Sequence, residues 1–131
     1  MALPEGLPRM EGWTVQVLPI RKMVELFEKT RWVDDLSARE LETLCKFVHV
    51  CAAPKGALLV REGSCDVYLC LMVEGAARVV KQGKSIHTSG PGKTFGEMSL
   101  VDGEPRSASV IADEAATFLV LTGAGFDRLV D

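Results

Sequence analysis

The chain has 131 residues, 47% of them hydrophobic, and a formal net charge of −3. One domain with a genuine core is the expectation, and wholesale disorder is excluded. The acidic balance excludes a nucleic-acid-binding surface over the whole chain but leaves room for a local anion site, and no apolar run is long enough to cross a membrane.

In chain order, residues 1–19 contain three prolines and two glycines and read as an irregular leader or linker. Trp13, Val15, Val17 and Leu18 suggest that part of it packs on the domain. The opening MALPEGLPRMEGW has no basic start followed by an apolar core, so it does not read as a signal peptide. Residues 20–131 are expected to form the domain proper. Within 20–29, IRKMVELFEK sets Ile20, Met23, Val24 and Phe27 at helical spacing. A second helix is expected over 38–47, opened by a capping box of Ser37 and Glu40 and carrying an apolar stripe of Leu41, Leu44, Cys45 and Val48.

From residue 48 the pattern changes to short strands separated by glycine turns. Strands are expected near 48–52, 57–61, 67–73, 76–81 and 84–88, with turns at Pro54-Lys55-Gly56, Glu62-Gly63-Ser64, Glu74-Gly75 and Gln82-Gly83. A later pair, 107–112 and 117–121, flanks Asp113-Glu114. Many short strands at this spacing point to a barrel or sandwich. Residues 123–131, GAGFDRLVD, look like the start of a helix with Phe126, Leu129 and Val130 on its apolar face. The four cysteines have neither CxxC spacing nor a histidine at zinc-like spacing, and read as reduced thiols of a cytoplasmic protein. His49 and His87 fall in separate strand-like segments, so no metal site is expected.

Residues 95–110, FGEMSLVDGEPRSASV, carry the chemistry. Gly96 lets the backbone approach a ligand closely. Residues 97–101 can form about one helical turn, whose free N–H groups suit a phosphate. Asp102-Gly103-Glu104-Pro105 stops that turn. Arg106 follows, a permanent cation whose planar fork matches phosphate oxygens. Ser107 and Ser109 add hydroxyls, and Ala108 leaves room for a close neighbour. Glu97 repels phosphate, and makes sense if the ligand also carries hydroxyl donors, as a ribose does. Taken alone, Arg106 could instead pair with Asp102 or Glu104, and Glu97 could be a solvent-facing charge at a helix start.

The ordered set of Phe95-Gly96-Glu97, a short helix and Pro105-Arg106-Ser107-Ala108 resembles the phosphate-binding cassette of cyclic nucleotide-binding domains. These domains occur in cAMP-dependent kinase regulatory subunits, catabolite activator-type regulators and cyclic nucleotide-gated channels. The resemblance extends more weakly over residues 32–130. It implies a mainly β fold with flanking helices, an antiparallel β-barrel of jelly-roll (double-stranded β-helix) type, with Trp32 and Leu36 in the core. It implies that Arg106 holds the cyclic phosphate and Glu97 the ribose 2′-hydroxyl. Phe95, Gly96, Met98, Ser99 and Ala108 would complete the site, largely through backbone amides, and Val60, Leu71 or Val79 would offer side chains to the base. Serine at 107 tilts the base preference to cAMP over cGMP.

The resemblance further implies a sensor rather than an enzyme, in keeping with the lack of any nucleophile paired with a base. The ligand is the cyclic nucleotide, with no cofactor. A population shift would pass the signal to an effector domain or partner protein as the cassette and C-terminal helix close together. In the family a further helix usually follows and lids the base, and that C-terminal lid helix is absent from this sequence. A scaffold module that keeps the barrel without binding nucleotide, and a regulatory fragment of a larger channel, kinase or signalling enzyme, are the alternatives.

Overall fold

The computed structural model describes residues 7, 8, 10–31, 33–95 and 105–130. Helices α1 (Ile20–Thr30) and α2 (Ala38–Cys45) precede eight of the strands, and α3 (Gly123–Val130) closes the order. The strands are β1 (Thr14–Gln16), β2 (Val48–Ala53), β3 (Leu58–Val60), β4 (Tyr68–Glu74), β5 (Ala77–Lys81), β6 (Lys84–Ser89), β7 (Thr94–Phe95), β8 (Ser109–Ala112) and β9 (Ala116–Thr122). They form a five-stranded sheet in the order β1-β2-β9-β4-β7 and a four-stranded sheet in the order β3-β8-β5-β6, every described pairing antiparallel. This is the expected mainly β, jelly-roll arrangement with flanking helices. Among the described residues the sheets are not closed into a barrel: β1, β7, β3 and β6 each pair on one side only.

The central strands β4 and β9 of the five-stranded sheet are buried on both faces, which explains the unbroken apolar run in β4. Alternate side chains of a strand point to opposite faces. Tyr68, Cys70 and Met72 of β4, with Phe118 and Val120 of β9, enter a core shared with Leu59, Val60, Val79 and Val110 of the other sheet. Leu69, Leu71 and Val73, with Leu119 and Leu121, face the other way against Met23 and Phe27 of α1 and Leu41, Leu44 and Cys45 of α2. The small apolar cavity lined by Phe27, Leu44, Val48, Leu69, Leu71, Leu119 and Leu121 lies in this helix layer.

Local signals set the edges of the elements. The capping box at α2 is formed: the Ser37 hydroxyl accepts from the Glu40 amide at 3.1 Å and the Glu40 carboxylate accepts from the Ser37 amide at 2.9 Å. Hydrogen bonding from Ser37, its amide first and then its hydroxyl, holds the Glu40 carboxyl below its usual range. Gln82 and Gly83, with φ of 51° and 79°, make the tight turn between β5 and β6. Gly75, between β4 and β5, has φ 94°, and a Cβ there would stand 2.5 Å from the Ala115 carbonyl oxygen.

Four expectations need correction. The stretch read as irregular contains β1, because Thr14, Val15 and Gln16 pair with Ala52, Cys51 and Val50 of β2. Residues 94–95 form β7, too short for any periodicity to announce, and pair with β4. The strand expected from 107 begins at Ser109, because the main chain at Arg106 bonds to the loop at 63–64 instead of the sheet. Leu36, expected in the core, is 38% exposed; the turn closed by the Leu36 amide on the Val33 carbonyl buries Val33 in its place. Trp32 lies outside the described residues.

Candidate anion-binding site

The segment 95–110 spans from one sheet to the other. Its first residue, Phe95, is anchored in β7 opposite Cys70 of β4, in the five-stranded sheet. Its last residues, Ser109 and Val110, are anchored in β8 opposite Val80 and Val79 of β5, in the four-stranded sheet. Gly96, Glu97, Met98 and Ser99 lie outside the described residues. Phe95, Arg106, Ser107 and Ala108 are described.

Arg106 is the centre of what is visible. Its main chain is clasped by the turn after β3: the Gly63 amide donates to its carbonyl and its amide donates to the Ser64 carbonyl, each at 2.8 Å. Only 8% of the residue is exposed. One terminal nitrogen, Nη2, donates to the Tyr68 carbonyl at 2.5 Å, and Cζ stands 4.7 Å from the centre of the Tyr68 ring. Nε is buried and has no hydrogen-bond partner among the described residues. A carbonyl and an aromatic face are both electron-rich, but neither carries the formal negative charge that a buried cation calls for. The donor set therefore fits an incoming anion, and Nε is the donor with no protein partner among the described residues. Asp102 and Glu104, the alternative ion-pair partners, lie outside the described residues.

Phe95 and Ala108 line the same side as Tyr68: Phe95 is a member of the inter-sheet core and Ala108 packs against it. Ser107 is exposed, while the Ser109 hydroxyl is spent inside the protein, accepting from the Glu62 amide at 2.9 Å. Of the side chains expected to meet a base, Val60 and Val79 belong to the inter-sheet core, but Leu71 faces the helices and is on the wrong side of its sheet. His49 in β2 and His87 in β6 stand in different sheets.

Sequence reasoning missed Tyr68, the chain's one tyrosine. Its hydroxyl donates to the Leu59 carbonyl at 2.7 Å, and burial pushes its phenol above its usual range, against the pull of Arg106, so it stays a neutral donor. Nothing in VYLCLMV separates such a tyrosine from an ordinary core aromatic.

The model of the cyclic nucleotide-binding domain family matches residues 50–131. The chain belongs to the cyclic nucleotide-binding domain family. It is 34% identical over 106 residues to a cyclic nucleotide-gated potassium channel of Mesorhizobium japonicum, a match covering 81% of this chain and 28% of the channel. It is 29% identical over 75 residues to a cAMP-dependent protein kinase regulatory subunit of Yarrowia lipolytica, covering 57% of this chain and 20% of that one. Among solved structures, a cyclic nucleotide-binding domain from Methylobacillus flagellatus superposes with a TM-score of 0.80 at 29% identity, over 91% of this chain and 71% of that one. The chain thus spans less than a third of the length of these two curated relatives. Among the described residues no helix is long and apolar enough to cross a membrane.

Proposed function

We propose that this domain binds a 3′,5′-cyclic nucleotide, cAMP in preference to cGMP, and acts as a sensor for an effector elsewhere. The observation that carries the reading is the buried Arg106 guanidinium, with no anionic partner and an unbonded Nε among the described residues, at the family's phosphate-contacting position. A cyclic phosphodiester is a monoanion that such a fork holds with charge-assisted bonds, strengthened by the surrounding low dielectric. Glu97 accepts from the ribose 2′-hydroxyl, Gly96 and the amides of Glu97, Met98, Ser99 and Ala108 complete the cradle, and Phe95 seats it on the core. Ser107, exposed and next to Arg106 in the chain, meets the base. No step requires a bond to break, so the site is read as a binding site and not as a catalytic one.

Output is a population shift. The ligand favours the state in which the segment 95–110 and α3 close together, and moves the equilibrium only by its differential affinity for that state. The channel and kinase subunit similar to this chain support an effector as the receiver of the signal. Buried Cys45, Cys51 and Cys70, all unpaired, support a reducing compartment such as the cytoplasm.

Isothermal titration with cAMP, then cGMP, tests the reading, with Arg106→Ala as control. One-site binding that disappears in the variant, tighter for cAMP, is the expected result. No heat with either nucleotide from a protein shown to be folded would leave the scaffold alternative.

A further inference from the structure

On the reading of Arg106 as the phosphate grip, we infer that Tyr68 is its positioning residue, and that Trp13 joins the pair so that strand β1 and the grip form one linked unit. The guanidinium lies on the Tyr68 ring, with Cζ 4.7 Å from its centre, and Nη2 is tied to the carbonyl of the same residue. The ring face and the carbonyl of one residue thus limit where the fork can lie, and with it the direction in which Nε points.

The ring is itself held from two sides. Its hydroxyl is bonded to the Leu59 carbonyl, and the Trp13 indole meets it edge-on, with centroids 6.2 Å apart and planes at 85°. Trp13 is fixed in turn by its Nε1 donating to the Leu58 carbonyl at 2.9 Å and by an edge contact with Phe118 at 4.8 Å. The two acceptors are consecutive carbonyls of β3, at the place where its register against β8 slips between Leu58 and Val60. A bulge disrupts the ladder locally, and here two aromatic donors take the carbonyls at the slip. The same β3 runs on into the turn that clasps the Arg106 main chain through Gly63 and Ser64. Both the backbone and the head of Arg106 are thus referred to β3, one directly and the other through Tyr68. Trp13 directly precedes β1 and fastens that strand to the same place.

A nucleotide that draws the guanidinium toward its phosphate must shift it over the Tyr68 face, and the indole packed on that ring feels the change. The test uses the full chain with Trp32→Phe, which leaves Trp13 as the sole tryptophan of the original two. Saturation with cAMP is expected to change Trp13 emission. Tyr68→Leu, which removes the ring but not the carbonyl, is expected to weaken cAMP binding about tenfold, while Tyr68→Phe, which keeps the face, returns it to within about threefold of the parent. Arg106→Ala is expected to cost less in the Tyr68→Leu background than in the parent, because the two residues act as a pair. A folded Tyr68→Leu that binds like the parent overturns the inference, and so do losses that multiply independently. Should Tyr68→Leu fail to fold, Trp13 emission decides the matter, and emission unmoved at saturating cAMP overturns the link. A folded parent that binds neither nucleotide overturns the sensor reading and this inference together, whereas binding with no role for Tyr68 overturns this inference alone.

Discussion

A guanidinium fork and a point ammonium differ most where the donor must lie flat against a ring and reach sideways to an anion. Arg106→Lys keeps the charge but loses the guanidinium over the Tyr68 ring and the second donor. Charge-assisted bonds contribute roughly 1.5–3 kcal/mol, so titration should show cAMP affinity reduced about tenfold or more; equal affinity would remove the fork from the account. On the proposed role of Glu97 as acceptor of the ribose 2′-hydroxyl, the 2′-deoxy analogue of cAMP should bind more weakly by at least about 1 kcal/mol, since the carboxylate is left without that donor. Indifference to the hydroxyl would take Glu97 out of the site. His49 bears on acid stability. It is half-buried in β2, and burial lowers its imidazole pKa from the ordinary value. The unfolded chain therefore takes up a proton near pH ~6.5 and the folded chain only below that, so stability present above about pH 6.5 is lost as the pH falls. His49→Gln should flatten this part of the Tm–pH curve. At this scale Arg106 stands out in the sequence as a candidate because its neighbours stand in a recognisable order. Tyr68 was not legible, because its role arises from a ring face and a carbonyl that meet Arg106 across 38 residues of chain.

Elements were readable where period and punctuation agreed. The alternation in β4 is invisible in VYLCLMV, yet the run still reads as a strand because both of its faces are buried, one against the second sheet and one against the helices. The Ser37 capping box and the Gln82-Gly83 turn fixed α2 and the β5–β6 hairpin almost to the residue. Strands β1 and β7 escaped because three and two residues carry no period, and their existence depends on the partner strands they lie beside. Gly75 is the clearest case of a turn that tolerates one residue type. Its φ of 94°, and the Ala115 oxygen only 2.5 Å from where an alanine methyl would sit, leave no space for a side chain. Gly75→Ala should cost more than about 1 kcal/mol, seen as a lower Tm in calorimetry; an unchanged Tm would mean that the β4–β5 turn relaxes freely.

The molecule as a whole is two packed layers of core with the segment 95–110 bridging the sheets. On the proposed site, a ligand held by that segment would act on both of its anchors, the β7–β4 pair and the β8–β5 pair, and through β4 on the helix layer beyond. This is the physical basis for expecting binding to be felt at α3, which follows β9 without a break. The amino-terminal stretch belongs to the same body. Leu7 is 7% exposed, Trp13 lies between Tyr68 and Phe118, and β1 covers the free edge of β2. Removing residues 1–19 strips these contacts together. Loss of a packed tryptophan alone costs about 3 kcal/mol, so a chain starting at Ile20 should melt roughly 10 °C lower. It should also bind cAMP less tightly, because the ring beneath Arg106 loses its edge support. Calorimetry and titration on the same shortened chain separate the two effects. A lower Tm with affinity unchanged would make the leader a stabilising strand alone, whereas a fall in both ties the first strand of the fold to its phosphate grip.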